Sequence, residues 1–168
     1  VALISDALHE ALPRQAEERH AILLAMLHPD VESADVKSSE EGLSGWAVWP
    51  LTHLIGTYGV ADFDASLRTL TEMTKRFTAE FDVRPFIIAD QPRALAMICS
   101  WADDKNHHVR RLVSEGTRPR LPWGIQLKSL IQDPTPMLTT LERLRDDPSG
   151  YVRRSVANHL NDIAKDHP

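Results

Sequence analysis

The chain has 168 residues, 42% of them hydrophobic and 26% charged, and a formal net charge of −5. These proportions are typical of a soluble globular protein and exclude the disordered and membrane classes. No apolar run is long enough for a membrane span, and the single cysteine, Cys99, excludes an internal disulfide framework. We therefore expect one domain over residues 1–168, in a reducing cytoplasm and without a membrane partner.

Helical periodicity dominates the chain, and no alternating apolar run indicates a strand. The third predicted helix contains Trp46 and Trp49, which we interpret as core residues together with Leu51, Leu54 and Ile55. A polar loop is predicted over 28–42, before this helix. The sequence thus predicts an all-α fold. In chain order, the predicted helices span residues 6–12, 13–27, 46–58, 62 or 64 to 77, 78–89, 92–103, 107–117, 134 or 135 to 144, and 149–164.

An internal repeat organises the second half of the sequence. The segment Val109–Arg111 recurs as Val152–Arg154, and paired aspartates precede each copy, with a spacing of 43 residues throughout. This period is typical of α-solenoids of the HEAT or armadillo kind. We therefore predict a solenoid of HEAT-like helical repeats, curved and with a concave face. Because such repeats use Asp and Arg to tie neighbours together, four residues are interpreted as structural: Asp103, Asp146, Arg110 and Arg153.

The charge is segregated along the chain. Residues 1–84 contain 7 Lys/Arg and 14 Asp/Glu, whereas residues 85–168 contain 12 and 10. Within 105–128 there are 6 basic residues and one acidic residue, Glu115. A local basic patch governs phosphate affinity more than the net charge does. This patch favours an anionic partner, although a merely solvated basic face has the same composition.

The repeats place cations and carboxylates on shared helix faces, because residues three or four apart lie on one side of a helix. An intrahelical ion pair between Arg111 and Glu115, contributing about 0.3–0.5 kcal/mol, is the structural alternative. The loop between the copies carries Trp123, whose ring could contact a cationic ligand. No metal-ligand spacing and no nucleotide-binding loop occurs, so neither a metal nor a cofactor is expected. The cations and carboxylates form one stripe along each repeat helix. The stripe of the first copy is Arg111, Glu115 and Arg118, and the stripe of the second copy is Arg154, Asn158 and Asp162.

Residues 106–124 (Asn-His-His-Val-Arg-Arg-Leu-Val-Ser-Glu-Gly-Thr-Arg-Pro-Arg-Leu-Pro-Trp-Gly) closely resemble the AlkC family. This is a bacterial group of HEAT-like-repeat DNA glycosylases, related to AlkD. Residues 147–162, 49–51 and 78–86 resemble the same family, so that the likeness covers essentially the whole chain. Family chains begin earlier and continue further, and this chain is therefore expected to be a fragment of a longer protein.

The resemblance implies a monomeric base-excision-repair glycosylase that acts on alkylated double-stranded DNA in the bacterial cytoplasm, associated with the nucleoid. It would hydrolyse the N-glycosidic bond of cationic bases such as 3-methyladenine or 3-methylcytosine. Its concave face would bind DNA, with Trp123 against the lesion. By resemblance the catalytic carboxylates are Glu115, Glu80 and Asp162, and the DNA-binding residues are Arg111, Arg154, Arg118, Arg120 and Asn158.

A non-catalytic HEAT-repeat scaffold that binds DNA or a protein partner is the alternative interpretation. It predicts salt-sensitive DNA binding without release of any base. Convergence of the three carboxylates near Trp123 would favour the enzyme, whereas dispersed carboxylates would favour the scaffold.

Overall fold

The computed structural model describes residues 1–29 and 37–168, which fold into helices and contain no strand beyond isolated β-bridges. This confirms the all-α prediction. The predicted loop 28–42 falls partly outside the described residues. In the described ranges, no helix is long and apolar enough to cross a membrane. The α-helices are α1 (Ala2–Ala11), α2 (Ala16–Ala25), α3 (Trp49–Tyr58), α4 (Phe63–Met73), α5 (Arg84–Ala89), α6 (Gln91–Ser100), α7 (His107–Gly116), α8 (Lys128–Gln132), α9 (Thr135–Leu144) and α10 (Gly150–Ala164).

The chain divides into two compact units, Val1–Pro85 and Phe86–Pro168. Their boundary coincides with the change in charge, since residues 1–84 have 7 Lys/Arg and 14 Asp/Glu and residues 85–168 have 12 and 10. The basic patch over 105–128 therefore belongs entirely to the second unit.

In the first unit, α1 packs on α3 and α2 packs on α4, and α3 also contacts α4. The prediction that Trp46 is a core residue is wrong, because its side chain is 74% exposed. Trp46 lies in a 3₁₀ turn, Gly45–Val48, just before the α-helix begins. Its ring lies 5.5 Å from that of Trp49 and 5.1 Å from that of Phe77. The apolar interior is formed by residues that include Leu23, Val48, Leu51, Leu54, Ile55, Leu67, Leu70 and Met73.

The second unit contains the repeat. Helices α7 and α10 begin at His107 and Gly150, 43 residues apart, which confirms the predicted spacing. They pack against each other, and α9 contacts both. Helix α7 ends at Gly116, shortly before Pro119 in the following loop, whereas α10 continues for 15 residues. The buried apolar side chains include Ile98, Val109, Leu112, Val113, Leu130, Met137, Leu141, Leu144, Val152 and Val156.

One arginine in each repeat binds the turn that precedes its own helix. Nη1 of Arg110 donates to the carbonyl oxygens of Asp104 and Lys105, at 2.8 and 2.9 Å. Nη1 of Arg153 donates to those of Asp147 and Pro148, at 2.6 and 3.0 Å. Both guanidiniums thus contact the carbonyls six and five residues before them. We call this contact the arginine clamp. It confirms that Arg110 and Arg153 have structural roles.

A third arginine clamp occurs in the first unit, where the sequence showed no copy of the repeat. Nη1 of Arg19 contacts the carbonyl oxygens of Pro13 and Arg14, again six and five residues earlier, at 3.5 and 3.1 Å. Arg19 also forms an ion pair with Asp62, at the start of α4. The repeat therefore extends further towards the N-terminus than the Val-Arg-Arg string indicates.

The carboxylate that Arg110 binds in the second copy is Asp147, whereas the sequence predicted Asp146. Asp147 accepts from Nε and Nη2 of Arg110, at 2.6 and 2.9 Å. Asp146 is largely exposed and pairs with the adjacent Arg145. Asp103 is also largely exposed, but it forms an ion pair with Arg143 of α9 and so ties the two copies together, as predicted. The hydrogen bonds from Arg110 hold the pKa of the Asp147 carboxyl below its ordinary value.

We predict that Arg110→Ala lowers the free energy of unfolding by about 2–3 kcal/mol, because it removes charge-assisted hydrogen bonds to a buried carboxylate. Urea unfolding at neutral pH measures this loss. The depressed pKa of Asp147 means that the Arg110 contribution is present at neutral pH and is lost as the pH falls through that pKa. Arg153→Ala is the matched control, since Arg153 hydrogen-bonds to the carbonyls of Asp147 and Pro148 and not to the Asp147 carboxylate. A loss as large as that of Arg110→Ala would contradict the prediction.

Candidate active site

Two buried carboxylates on neighbouring repeat helices meet at one arginine. Nη1 of Arg118 donates to Oε1 of Glu115 at 2.7 Å, and Nε of Arg118 donates to Oδ2 of Asp162 at 2.9 Å. Glu115 lies in the last turn of α7, and Asp162 lies in the last turn of α10. The packing of α7 on α10 brings the two helices together at this point. We call these three residues the carboxylate triad.

The triad is almost completely removed from solvent, with Glu115 6%, Arg118 8% and Asp162 1% exposed. Although burial favours the neutral acid, hydrogen bonds from Arg118 and Lys165 keep the pKa of Asp162 below its ordinary value. Burial opposes the charge on Arg118 as well, but the hydrogen bonds to Asp162 and Glu115 raise its pKa. The site therefore holds the Asp162 carboxylate ionised in a low-dielectric environment, where it interacts strongly with a developing positive charge.

The face of α7 leads from the triad to a cation with an aromatic neighbour. Arg111 lies one turn before Glu115, and its Nη2 is 3.7 Å from Oε1 of that residue. Its guanidinium carbon also lies 4.8 Å from the ring centre of Tyr151, at the start of α10. Because the ring contact orients the guanidinium, Arg111 is held between the carboxylate of Glu115 and the ring of Tyr151.

The corresponding face of α10 is more open. Arg154 is exposed, Asn158 is partly exposed, and Asp162 at the end of the same stripe is buried. The stripe therefore runs from an exposed cation to a buried anion within about two turns. Such a surface suits a ligand with an anionic backbone and a cationic group attached to it.

The loop after the triad is fastened to the end of α10. Nε and Nη2 of Arg120 form two hydrogen bonds with the carboxylate of Asp166, both at 2.8 Å. The backbone N–H of Leu127 donates to the carbonyl of Pro119 at 3.1 Å and closes the loop. This loop carries Trp123, so that the ring is held on the same unit as the triad.

Trp123 is presented to solvent by a strained turn. The N–H of Gly124 donates to the carbonyl of Leu121 at 3.1 Å, Pro122 lies between them, and Trp123 has a φ of +63°. This is the pattern of a type II turn, whose third position favours glycine. A bulky side chain costs about 1–2 kcal/mol in this conformation. The ring is nevertheless 98% exposed, and such strain at an exposed residue is typical of functional sites.

Glu80 lies in the first unit. Thr78 donates a hydrogen bond from its hydroxyl to the Glu80 carboxylate, which is 8% exposed. The nearby Asp82 packs on α3 at Gly56, where a Cβ added to the glycine would lie 2.9 Å from the Cβ of Asp82. The lack of a side chain at Gly56 thus lets the segment that carries Glu80 approach the helix closely.

The structure therefore brings together two of the three candidate carboxylates, Glu115 and Asp162. Arg118 was expected to contact a DNA phosphate, whereas its guanidinium is buried and binds both carboxylates. Arg120 is half-buried in its pair with Asp166. Sequence reasoning missed Tyr151 and His159, which contact α7 from α10. Among the described residues, no group of three or more His, Cys, Asp or Glu is arranged to hold a metal ion.

The chain is similar to known proteins in both sequence and structure, although no protein-family model matches it. The uncharacterized protein YhaZ of Bacillus subtilis (strain 168) is 44% identical over 165 residues, which are 98% of this chain and 43% of that protein. The structure is similar to that of Pseudomonas fluorescens alkylpurine DNA glycosylase AlkC bound to DNA containing an abasic site analog, with 41% identity and a TM-score of 0.83.

The structural match covers 98% of this chain and 42% of the P. fluorescens protein. The chain thus spans less than half the length of each of these two proteins. By its sequence and its helical-repeat fold, the chain belongs to the AlkC family.

Proposed function

We propose that this chain carries catalytic residues of a DNA glycosylase that excises cationic alkylated bases, such as 3-methyladenine and 3-methylcytosine. The observation that carries the proposal is the carboxylate triad, in which Glu115 and Asp162 meet at Arg118 within the basic unit. The similarity to a DNA-bound alkylpurine glycosylase supports it. The partner is alkylated double-stranded DNA, bound by a monomeric protein in the cytoplasm during base excision repair.

The proposed reaction is hydrolysis of the N-glycosidic bond. An alkylated cationic base is already a good leaving group, so the protein has to stabilise the positive charge that develops on the sugar and to position a water molecule. Paired carboxylates perform these two tasks in glycoside hydrolysis. We assign them to Glu115 and Asp162, with Glu80 of the first unit as a third carboxylate. Arg118 holds the first two in position and compensates their mutual repulsion.

The DNA-binding part of the proposal rests on the surface around the triad. Arg154 is exposed, and Arg111 is oriented by Tyr151, so both suit backbone phosphates. Asn158 lies one turn from Arg154, and Arg120 supports the loop that presents Trp123. The Trp123 ring would contact the lesion or its deoxyribose. These contacts would place the glycosidic bond near the carboxylates.

The test is release of free base from methylated DNA by the protein expressed from its native gene. Separate duplexes with 3-methyladenine and 3-methylcytosine are incubated with it, and the released base is measured by mass spectrometry. Release of either base at a rate proportional to protein concentration is the expected result. DNA binding that weakens with salt, without release of either base, would overturn the proposal in favour of a scaffold.

We predict that Trp123→Gly separates stability from function. Glycine adopts a φ of +63° without strain, so the midpoint of thermal unfolding should not fall. Base release should slow by about tenfold, because a ring contact contributes about 1–3 kcal/mol to nucleic-acid binding. Differential scanning fluorimetry and the base-release assay measure the two effects. Trp46→Gly is the matched control for the loss of an exposed tryptophan. Unchanged base release from Trp123→Gly would contradict the assignment.

A further inference from the structure

His159 is the most deeply buried ionisable side chain beside the carboxylate triad. It lies on α10, one turn before Asp162, and it is 0% exposed. Its Nδ1 is 2.9 Å from the carbonyl oxygen of Ser114, on α7. Ser114 is the residue immediately before Glu115. One ring thus connects α7 and α10, from a position one turn before Asp162 to the residue that precedes Glu115.

The geometry fixes the protonation state of this ring. A carbonyl oxygen can only accept, so Nδ1 must carry the proton. Nε2 is buried and has no hydrogen-bond partner among the described residues, and a second proton there would be unsatisfied. Burial lowers the pKa of His159 to about 4, an effect that Arg118 reinforces and that Asp162 and Glu115 oppose. The ring is therefore neutral at pH 7, with its proton on Nδ1.

We infer that His159 is a positioning residue of the proposed glycosylase, which sets the distance between Glu115 and Asp162 through its hydrogen bond to the Ser114 carbonyl. This inference rests on the proposed function. The carbonyl of Ser114 lies near the C-terminal end of α7, where backbone acceptors lack N–H partners in the helix. It accepts from the hydroxyl of Thr117 at 3.3 Å, within the end of α7, and from Nδ1–H of His159 at 2.9 Å. The shorter bond is the one that ties the last turn of α7 to α10. Both carboxylates then lie within hydrogen-bond distance of Arg118.

Two amide substitutions separate the hydrogen bond from the volume of the side chain. An asparagine amide reaches the position of Nδ1, whereas a glutamine amide reaches the position of Nε2. His159→Asn is therefore expected to keep the donor and to release base within about threefold of the parent rate. His159→Gln is expected to reduce the single-turnover rate constant by about 10- to 100-fold, the scale of a small misplacement of reacting groups.

Both variants are assayed at a temperature where scanning fluorimetry shows them folded, with DNA affinity measured in parallel. Unchanged affinity with a reduced rate constant in His159→Gln, and recovery in His159→Asn, supports the inference. Equal rates in parent and both variants overturn this inference alone, as does an equal loss in both. A parent that releases no base overturns the proposed function and this inference with it.

A second measurement reads the ring itself, without reference to activity. Nitrogen-15 NMR of the histidine side chains in the native protein distinguishes the two neutral tautomers and the cation. We expect one ring to remain neutral, with its proton on Nδ1, between pH 7 and pH 5, and its signal to disappear in His159→Gln. An Nε2-protonated ring or a cation at this position would overturn the inference.

Discussion

Replacing Glu115 by glutamine is expected to slow base release by about 10²- to 10⁴-fold, the scale of a lost general base or charge stabiliser. The amide keeps the size of the side chain and can still accept from Arg118, so the fold is conserved. It cannot stabilise a cationic sugar as a carboxylate does. DNA affinity should stay near that of the parent, because the change removes no phosphate contact. Single-turnover base release with saturating protein measures the effect.

The matched control for this change is Glu142→Gln. Glu142 lies on α9 in the same unit, its side chain is 63% exposed, and it pairs with Arg145 at the surface. It carries the same charge but has no contact with the triad. The control should release base at the parent rate. If Glu115→Gln also does so, the assignment of Glu115 as a catalytic carboxylate is wrong.

Arg118→Met is expected to lower the free energy of unfolding by about 3–5 kcal/mol, the loss found when one partner of a buried ion pair is removed. Methionine fills a similar volume, so the effect reports charge more than packing. The change leaves Glu115 and Asp162 buried near each other without the cation that holds them. Base release should be lost as well. Guanidinium unfolding at pH 7 gives the free energy.

The pH dependence gives this prediction a second readout. Although burial opposes the shift, hydrogen bonds from Arg118 and Lys165 lower the folded-state pKa of Asp162. A carboxyl with a lowered pKa stabilises the fold above its ordinary pKa, and this contribution is lost as the pH falls through the folded value. The difference between the parent and Arg118→Met should therefore shrink in acid. Arg120→Met, in a more exposed pair, is the control and should unfold close to the parent at pH 7.

Helical periodicity and the 43-residue spacing were sufficient to predict most of the fold. The helix starts at His107 and Gly150 follow from the repeat itself. Helix α8 was missed because its five residues are too short to show a period. Trp46 was misplaced because apolar spacing cannot distinguish a helix from the 3₁₀ turn that precedes it. The third arginine clamp was not predicted because the sequence around Arg19 does not match the Val-Arg-Arg segments of the other two copies.

The candidate site was only partly predictable for a similar reason. The contact between Arg118 and Glu115 follows from their spacing of three residues on one helical path. The contact between Arg118 and Asp162 spans 44 residues and depends on how α7 packs against α10. The sequence therefore indicated a basic surface with separate carboxylates, whereas packing turns one of those cations inward. The sequence did not indicate a role for His159, because its ring contacts a carbonyl of the neighbouring helix.

The arginine clamps have a consequence for how such repeats change over evolutionary time. Arg110 and Arg153 contact backbone carbonyls, and a backbone carbonyl is present whatever side chain occupies its position. The clamp contacts can thus tolerate sequence drift in the turn before each helix, apart from Asp147, whose side chain also binds Arg110. The next residue in each copy, Arg111 or Arg154, can then be exchanged without disturbing the frame. A tandem array built in this way can acquire new surface chemistry one module at a time.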